Sequence, residues 1–316
     1  MVGGTIARLL REAGHDIELV LAGRSPDAGA DLARALGAAT VRLDVASPRE
    51  GLAAAGQVDL VIAALQDPDD TLLAATLTAG AGHIGIVRTV GNMGTTAVTA
   101  SALARRPALM LGHWQAGVLT LAALAAAKAF AEIDSVEMAA LYDYADPIGP
   151  MTANDAGGFV GQALIRRSGR WLNVNAPEAV RRVIRPDQPA FDAMPMGVLD
   201  TPALAALTGA GDVRFDLGSG DSLGTAAGGQ ASHDMYIDIA GRDASGSSLA
   251  RRTLVSDPRG QAHLTALGVL IGAERLLGLD GAPPPGPGLA FPEAVIDPAL
   301  AVARLRAFGV RVEEIG

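Results

Sequence analysis

Cysteine is absent from the 316 residues, which excludes disulfides, thiol nucleophiles and thiolate metal sites. Lysine occurs once, at Lys128, and the net charge is −9 with no basic patch to offset it, so nucleic acid is excluded as an expected partner. No apolar run approaches the ~20 residues that span a bilayer. No N-terminal segment has the charged-then-apolar plan of a secretory signal. The expectation is therefore a cytoplasmic protein without a membrane partner. The five histidines (His15, His83, His113, His233 and His263) lack metal-ligand spacing, so no metal site is expected. Aromatic residues make up only 3% of the chain and tryptophan occurs twice, so each aromatic near a strand end carries information.

What is present fits an α/β enzyme. Hydrophobic residues make up 49% and charged residues 19%, enough for two domains and a substantial core. Helix and strand patterns alternate with short connections, as a parallel sheet requires. Helices are expected over 27–36, after the Ser47-Pro48 cap, up to residue 79, and over 116–131. Strands are expected over 16–22, 40–45, 58–64, 83–87 and 108–111, with a Gly-rich loop over 91–94. Beyond residue 132 the texture changes: alternating strands over 134–142, 234–240 and 249–255, with a turn at Asp243-Ala244-Ser245-Gly246-Ser247, predict an α+β domain with a mixed or antiparallel sheet. Helices follow over 261–277 and 298–308, with strand-like residues 310–312 at the end. The expected domains are 1–131, 132–260 and a returning segment 261–316.

The opening Met1-Val2-Gly3-Gly4-Thr5-Ile6-Ala7 reads as the end of a G-x-G-x-x-G turn entering a helix, with Gly3 as the third glycine. This reading places the first strand and the two leading glycines upstream of Met1. The residue that discriminates the ribose 2′ position is expected roughly 20 residues on, and the offset lands on Gly23-Arg24-Ser25. An acid there would favour NAD, whereas Arg24 and Ser25 suit a 2′-phosphate, so the expected cofactor is NADP. Other carboxyl ends of parallel strands offer Asp44-Val45, Ala64-Leu65 and His113-Trp114-Gln115. Asp44 suits either an adenine amino group or a helix N-terminus. Trp114 and Gln115 offer a ring face and an amide for a nicotinamide pocket, while His113 alone fits a structural histidine as well as a catalyst.

From the second domain, Tyr142-Asp143-Tyr144-Ala145-Asp146 and the stretch around Asp155 place phenols and carboxylates at a strand end. They suit an imino or amino substrate and a proton relay, or equally an Asp-rich turn with ordinary capping. Of Arg251 and Arg252, one must point away from any ligand on the same sheet face. Gly220-Asp221-Ser222-Leu223-Gly224 matches G-x-S-x-G, but Thr225-Ala226-Ala227-Gly228-Gly229 makes a poor following helix, and no histidine has an Asp three residues before it. A Tyr-x-x-x-Lys pair is excluded too, because Leu124 stands four residues before Lys128.

The Val-Gly-Gly-Thr-Ile-Ala start, Leu21-Ala22-Gly23-Arg24-Ser25, Gly112-His113-Trp114-Gln115-Ala116-Gly117 and Pro287-Gly288-Leu289-Ala290-Phe291-Pro292-Glu293 together resemble saccharopine dehydrogenase-type NAD(P)-binding proteins over nearly the whole chain. The resemblance implies a Rossmann-type doubly wound domain, a mixed α/β domain inserted before the last helices, and a homodimer. It also implies nicotinamide-linked chemistry at a carbon–nitrogen bond of an amino-acid-like small molecule. On this reading Gly3, Arg24, Ser25, Asp44, Val45, Ala64, Leu65 and Trp114 hold the cofactor. The substrate is then left to His113, Gln115, Tyr142, Asp143 and Asp155. The rival from another class is a non-catalytic NADP-responsive binding protein on the same fold.

Overall fold

Helix α1 (Val2–Glu12) buries Ile6, Ala7, Leu9 and Leu10, the stripe that three- and four-residue spacing puts on one face. The computed structural model describes residues 2–86, 93–149, 161–186 and 188–315. Contacts divide the chain into two units: residues 1–112 with 266–295, and residues 113–265 with 296–316.

In the first unit, β1 (Val20–Gly23), α2 (Ala30–Leu36), β2 (Ala39–Arg42), α3 (Pro48–Ala55), β3 (Leu60–Ala63), α4 (Thr71–Thr78), β4 (Gly82–Gly85), α5 (Met93–Leu103) and β5 (Pro107–Met110) alternate. Every strand pair is parallel. β1 pairs with β2, and β3 pairs with β4, which pairs with β5, as two separate sheets. In the doubly wound order a strand lies between the positions of β1 and β3; among the described residues these two strands have one hydrogen-bonded neighbour each. β4 and β5 are buried along their whole length, while β1 alternates between exposed and half-buried residues and β2 is exposed except at the half-buried Val41. The Asp67 carboxylate accepts the amides of Leu72 and Leu73 at 3.1 and 2.9 Å and so caps α4. The Gly-rich reading of 91–94 is replaced at its end by α5, whose Gly, Thr and Ser content hides a buried stripe at Thr96 and Ala100.

The second unit runs through α6 (Val118–Ala127), β6 (Glu132–Tyr142), β7 (Gln162–Arg167), β8 (Arg170–Asn175), β9 (Arg181–Arg185), β10 (Gln188–Pro195), α7 (Asp200–Thr208), β11 (Asp212–Ser219), α8 (Leu223–Ala226), β12 (His233–Arg242) and β13 (Ser248–Asp257). Helix α9 (Gln261–Leu277), β14 (Gly288–Ala290) and α10 (Pro292–Val295) follow, and β14 adds to β5 of the first unit. Helix α11 (Pro298–Ala307), capped by Asp297 through Ala299 and Leu300, and β15 (Arg311–Ile315) complete the second unit.

Its sheet is mixed. The order is β15-β13-β12-β6-β11-β10-β9, with β7 on β11 and β8 on β7; β6 and β11 are parallel and the other pairs antiparallel. Period-two alternation puts Val136, Met138 and Ala140 on one face of β6 and Ala139 and Leu141 on the other, all buried. The second set packs with Val183 of β9, Phe191 and Ala193 of β10, Tyr236 of β12 and Leu254 of β13. Among the described residues no helix is long and apolar enough to cross a membrane.

Candidate functional site

The first unit presents its strand ends as small or cationic residues. Gly3 opens α1, and a Cβ built on it would lie 3.5 Å from the Ala64 side chain just beyond β3, an ordinary contact. The first turn of α1 holds no acidic residue. Arg24 and Ser25 follow β1 on the surface, and no ion pair involves Arg24 among the described residues. The Asp44 carboxylate accepts the Ala46 amide at 3.1 Å and closes the turn after β2. Val45 and Leu65 pack onto the cluster of Leu43, Leu52, Ala63 and Leu72 beneath these ends.

The second unit gathers polar side chains at the end of its sheet where β6 and β11 finish and β12 starts. Residues 113–117 form the turn before α6, and Gln115, Ala116 and Gly117 all take left-handed backbone, with φ of 51°, 54° and 91°. The turn is fixed by Asp200, fully buried at the start of α7, which accepts the Trp114 amide at 2.6 Å and the Thr120 hydroxyl at 2.7 Å. Burial pushes the Asp200 carboxyl up, while His113, Thr120 and the Trp114 amide pull it down. His113 is thus a buried histidine beside a buried acid, a partner that its own sequence neighbourhood did not supply.

The Trp114 ring lies 5.1 Å from Phe215, and its indole N–H donates to His233 Nε2 at 3.2 Å. The Gln115 amide nitrogen meets the same His233 nitrogen at 3.0 Å, and its oxygen accepts the Thr265 hydroxyl at 2.5 Å. Two N–H donors on Nε2 require it to be the bare nitrogen, which places the proton on Nδ1 of a neutral ring. Burial lowers the His233 pKa to about 4, against an opposing pull from Asp257, so the ring stays neutral at physiological pH. Asp257 also holds His263 Nδ1 at 2.6 Å, with both side chains buried.

Tyr142 and Asp143 end β6. For Asp143, burial alone would raise the carboxyl, but the Thr225 hydroxyl and the Ser222 and Ala145 amides outweigh it and hold the pKa at about 2. The group is a permanent anion that ties the β6 end to α8. Tyr142 stacks edge-on against the exposed Tyr144, at 5.2 Å between centroids. Burial, with Asp146, Tyr144 and Asp143 nearby, raises its phenol, so it remains protonated. Asp146 accepts the Gln261 amide at 2.8 Å at the head of α9, and burial raises it to about 6. Asp155 lies outside the described residues. Arg252 pairs with Asp238 at 2.5 Å, and Arg251 on the opposite face pairs with Glu314 at 2.8 Å.

The serine-hydrolase reading fails on burial. Ser222 is wholly buried and its hydroxyl accepts the Thr225 and Ser232 amides, capping the four-residue α8. The expected residues Trp114, Gln115, Tyr142 and Asp143 thus lie at this end of the sheet, together with Asp200, His233, Asp257, His263 and Thr265, which the sequence did not single out as site residues. Gln115 meets His233 across 118 residues and Thr265 across 150, separations that no local pattern encodes.

The left-handed backbone gives a test of the turn. In helix α6, Ala122→Gly should lose about 1 kcal/mol of helix propensity. At Ala116, where φ is 54°, glycine relieves strain of about 1–2 kcal/mol, so Ala116→Gly should match or exceed wild-type stability in urea unfolding. Equal losses for both variants would contradict the left-handed assignment.

No protein-family model matches the sequence, and no curated protein matches it. Solved structures do. Saccharopine dehydrogenase (L-Glu forming) from Saccharomyces cerevisiae, in its apo form, is 11% identical, with 99% of this chain and 98% of that chain covered at a TM-score of 0.73. Amine dehydrogenase from Mycobacterium smegmatis is 13% identical, with 93% of each chain covered at 0.51. GenD2 from gentamicin A biosynthesis, in complex with NAD, is 13% identical, with 100% and 94% covered at 0.50. The fold of this chain is thus that of these dehydrogenases: a Rossmann-type parallel unit and an α+β unit with a mixed sheet.

Proposed function

We propose that the chain is an NADP-preferring oxidoreductase acting on a carbon–nitrogen bond of an amino-acid-like small molecule. The first unit holds the nucleotide and the second positions the substrate. The observation that carries the reading is Arg24, an exposed guanidinium at the carboxyl end of β1 where an acid would select NAD. Gly3 and the acid-free first turn of α1 fit a pyrophosphate at a helix N-terminus. Ala64 leaves room for a ribose, and Asp44 remains within the same set of strand ends. The dehydrogenases of the same fold, one of them solved with NAD, lend the reading further support.

When bound, the nicotinamide ring supplies or takes up a hydride. The chain's own residues then bind and orient. Trp114 and Gln115 are locked by His233, Thr265 and Asp200, so ring and amide are held before a substrate arrives. The Tyr142 phenol stays protonated and can donate, whereas Asp143, saturated by its donors, positions the β6 end instead of exchanging protons. The reading includes a cytoplasmic homodimer, which sedimentation tests.

Arg24→Asp should weaken NADPH binding roughly 10- to 100-fold, the ~1.5–3 kcal/mol of one charge-assisted contact, and leave NADH binding unchanged or improved. Equal NADPH affinity in both proteins would remove Arg24 from the site. The neutral, buried His233 and the saturated Asp143 favour a second reading, a binding protein that senses NADP without turnover. Tight NADPH binding with no rate on imine, keto-acid or enoyl substrates would select it.

A further inference from the structure

Strand β9 alternates, with Arg181, Val183 and Arg185 turned inward and Arg182 and Ile184 outward. Its inward arginines differ in their partners. Arg181 meets Asp216 at 2.6 Å and Glu137 at 3.2 Å, and on the same sheet Arg214 and Arg252 each hold an aspartate. Arg185 is only 5% exposed, yet its guanidinium donates to two neutral backbone oxygens, of Pro189 at 2.8 Å and Asp221 at 2.9 Å. No carboxylate pairs with it among the described residues. A buried cation that lacks a counter-charge is costly, and the cost is offset when an anion is bound.

The surroundings are those of a ligand site. Arg185, Arg182, Gln188, Phe191, Ser219 and Gly220 line a cavity of about 590 Å³, within the range that small-molecule pockets occupy. The guanidinium lies 5.5 Å over the Phe191 ring, which holds its plane and leaves an apolar wall beside it. Tyr236 Oη is buried beside Arg185, and burial keeps the phenol protonated. Of the described acids at the rim, Asp192 is taken by Arg182 at 3.4 Å, and Asp221 is exposed and turns its backbone oxygen to Arg185.

We propose that this cavity of the second unit binds a carboxylate of amino-acid size, with Arg185 gripping the carboxylate and Phe191 packing on its stem. A guanidinium fork matches the planar carboxylate in two parallel hydrogen bonds. The floor of the cavity joins the candidate site, because Ser219 is in register with Tyr142 and the Gly220 amide donates to the Tyr142 carbonyl at 3.1 Å. The inference deepens the proposed function by naming a carboxylate on the substrate, and so rests on that reading for its role in turnover. The binding itself needs no nucleotide.

Calorimetry on the full chain without nucleotide, using glutarate, L-glutamate and inorganic phosphate, tests it. Wild type should bind glutarate or glutamate, and Arg185→Gln should weaken binding at least tenfold. Ala226→Trp, which fills the cavity and keeps Arg185, should weaken it equally and keeps the test open if Arg185→Gln fails to fold. No carboxylate binding by wild type, unchanged affinity in Ala226→Trp, or preference for phosphate would overturn the assignment. NADPH binding measured separately on the same proteins tells failure of this site from failure of the nucleotide reading.

Discussion

Lowering the pH from 7 to 4 should remove about 3 kcal/mol of stability from the wild-type chain relative to a His233→Gln variant. Folded His233 has a pKa of about 4, against a usual value near 6.5. Between these values the unfolded chain binds a proton that the folded chain refuses. The contribution is therefore complete above pH 6.5 and is lost as the pH falls towards 4, at roughly 1.4 kcal/mol for each step of one in pH. Burial is the cause: the ring is 1% exposed, and its bare nitrogen already accepts from Trp114 and Gln115. Asp146 acts in the opposite sense. Raised to about 6, it favours the folded state below its usual value and loses that contribution as the pH rises through 6. Asp143 titrates lower, near 2. Comparison with His233→Gln cancels both. Urea unfolding at pH 7, 5.5 and 4 checks the difference, and parallel stability curves for the two proteins would refute it.

Gly260→Ala should cost about 2–3 kcal/mol. Gly260 sits at φ 82°, between β13 and α9, and a Cβ there would lie 2.6 Å from Asp146 Oδ1. Left-handed backbone costs an alanine about 1–2 kcal/mol. Displacing Asp146 from the Gln261 amide loses an N-terminal cap worth about 1 kcal/mol more. Gly246, in the β12–β13 turn, has the same φ of 82° but nothing within 4 Å of its Cβ position. Gly246→Ala should therefore lose only the dihedral part. Equal losses at the two positions in urea unfolding would show that the Asp146 contact carries nothing.

Much of this fold is legible in the residues alone. Helix α9 spans the predicted 261–277, because its apolar spacing is unbroken and Gly260 and Gly278 bracket it. The β12–β13 hairpin follows from its Asp-Ala-Ser-Gly-Ser turn. The expected helix over 116–131 begins later, at Val118, because Gln115 and Ala116 take left-handed backbone that their side chains do not announce. Residues 162–219 hold five strands and α7 without a clear periodic signal. Gly218, Pro186 and the arginine clusters obscure the alternation there, and the parallel pairing of β11 with β6 depends on contacts across 77 residues, as at Asp212 and Ser135.

The candidate site is legible to the same extent. Rare residues at strand ends mark Trp114, Gln115 and Tyr142. Their fixing partners, Asp200, His233 and Thr265, come from distant strands and helices whose only local signal is a polar residue beside an element boundary. The Asp-rich stretch at 143–146 has a capping component, since Asp143 and Asp146 each accept backbone amides.

Calorimetric titration of the wild-type chain with NADPH and with NADH decides whether the first unit holds NADP. Both nucleotides should bind saturably, NADPH tighter by at least tenfold. Binding of neither nucleotide, or tighter binding of NADH, would contradict the NADP reading.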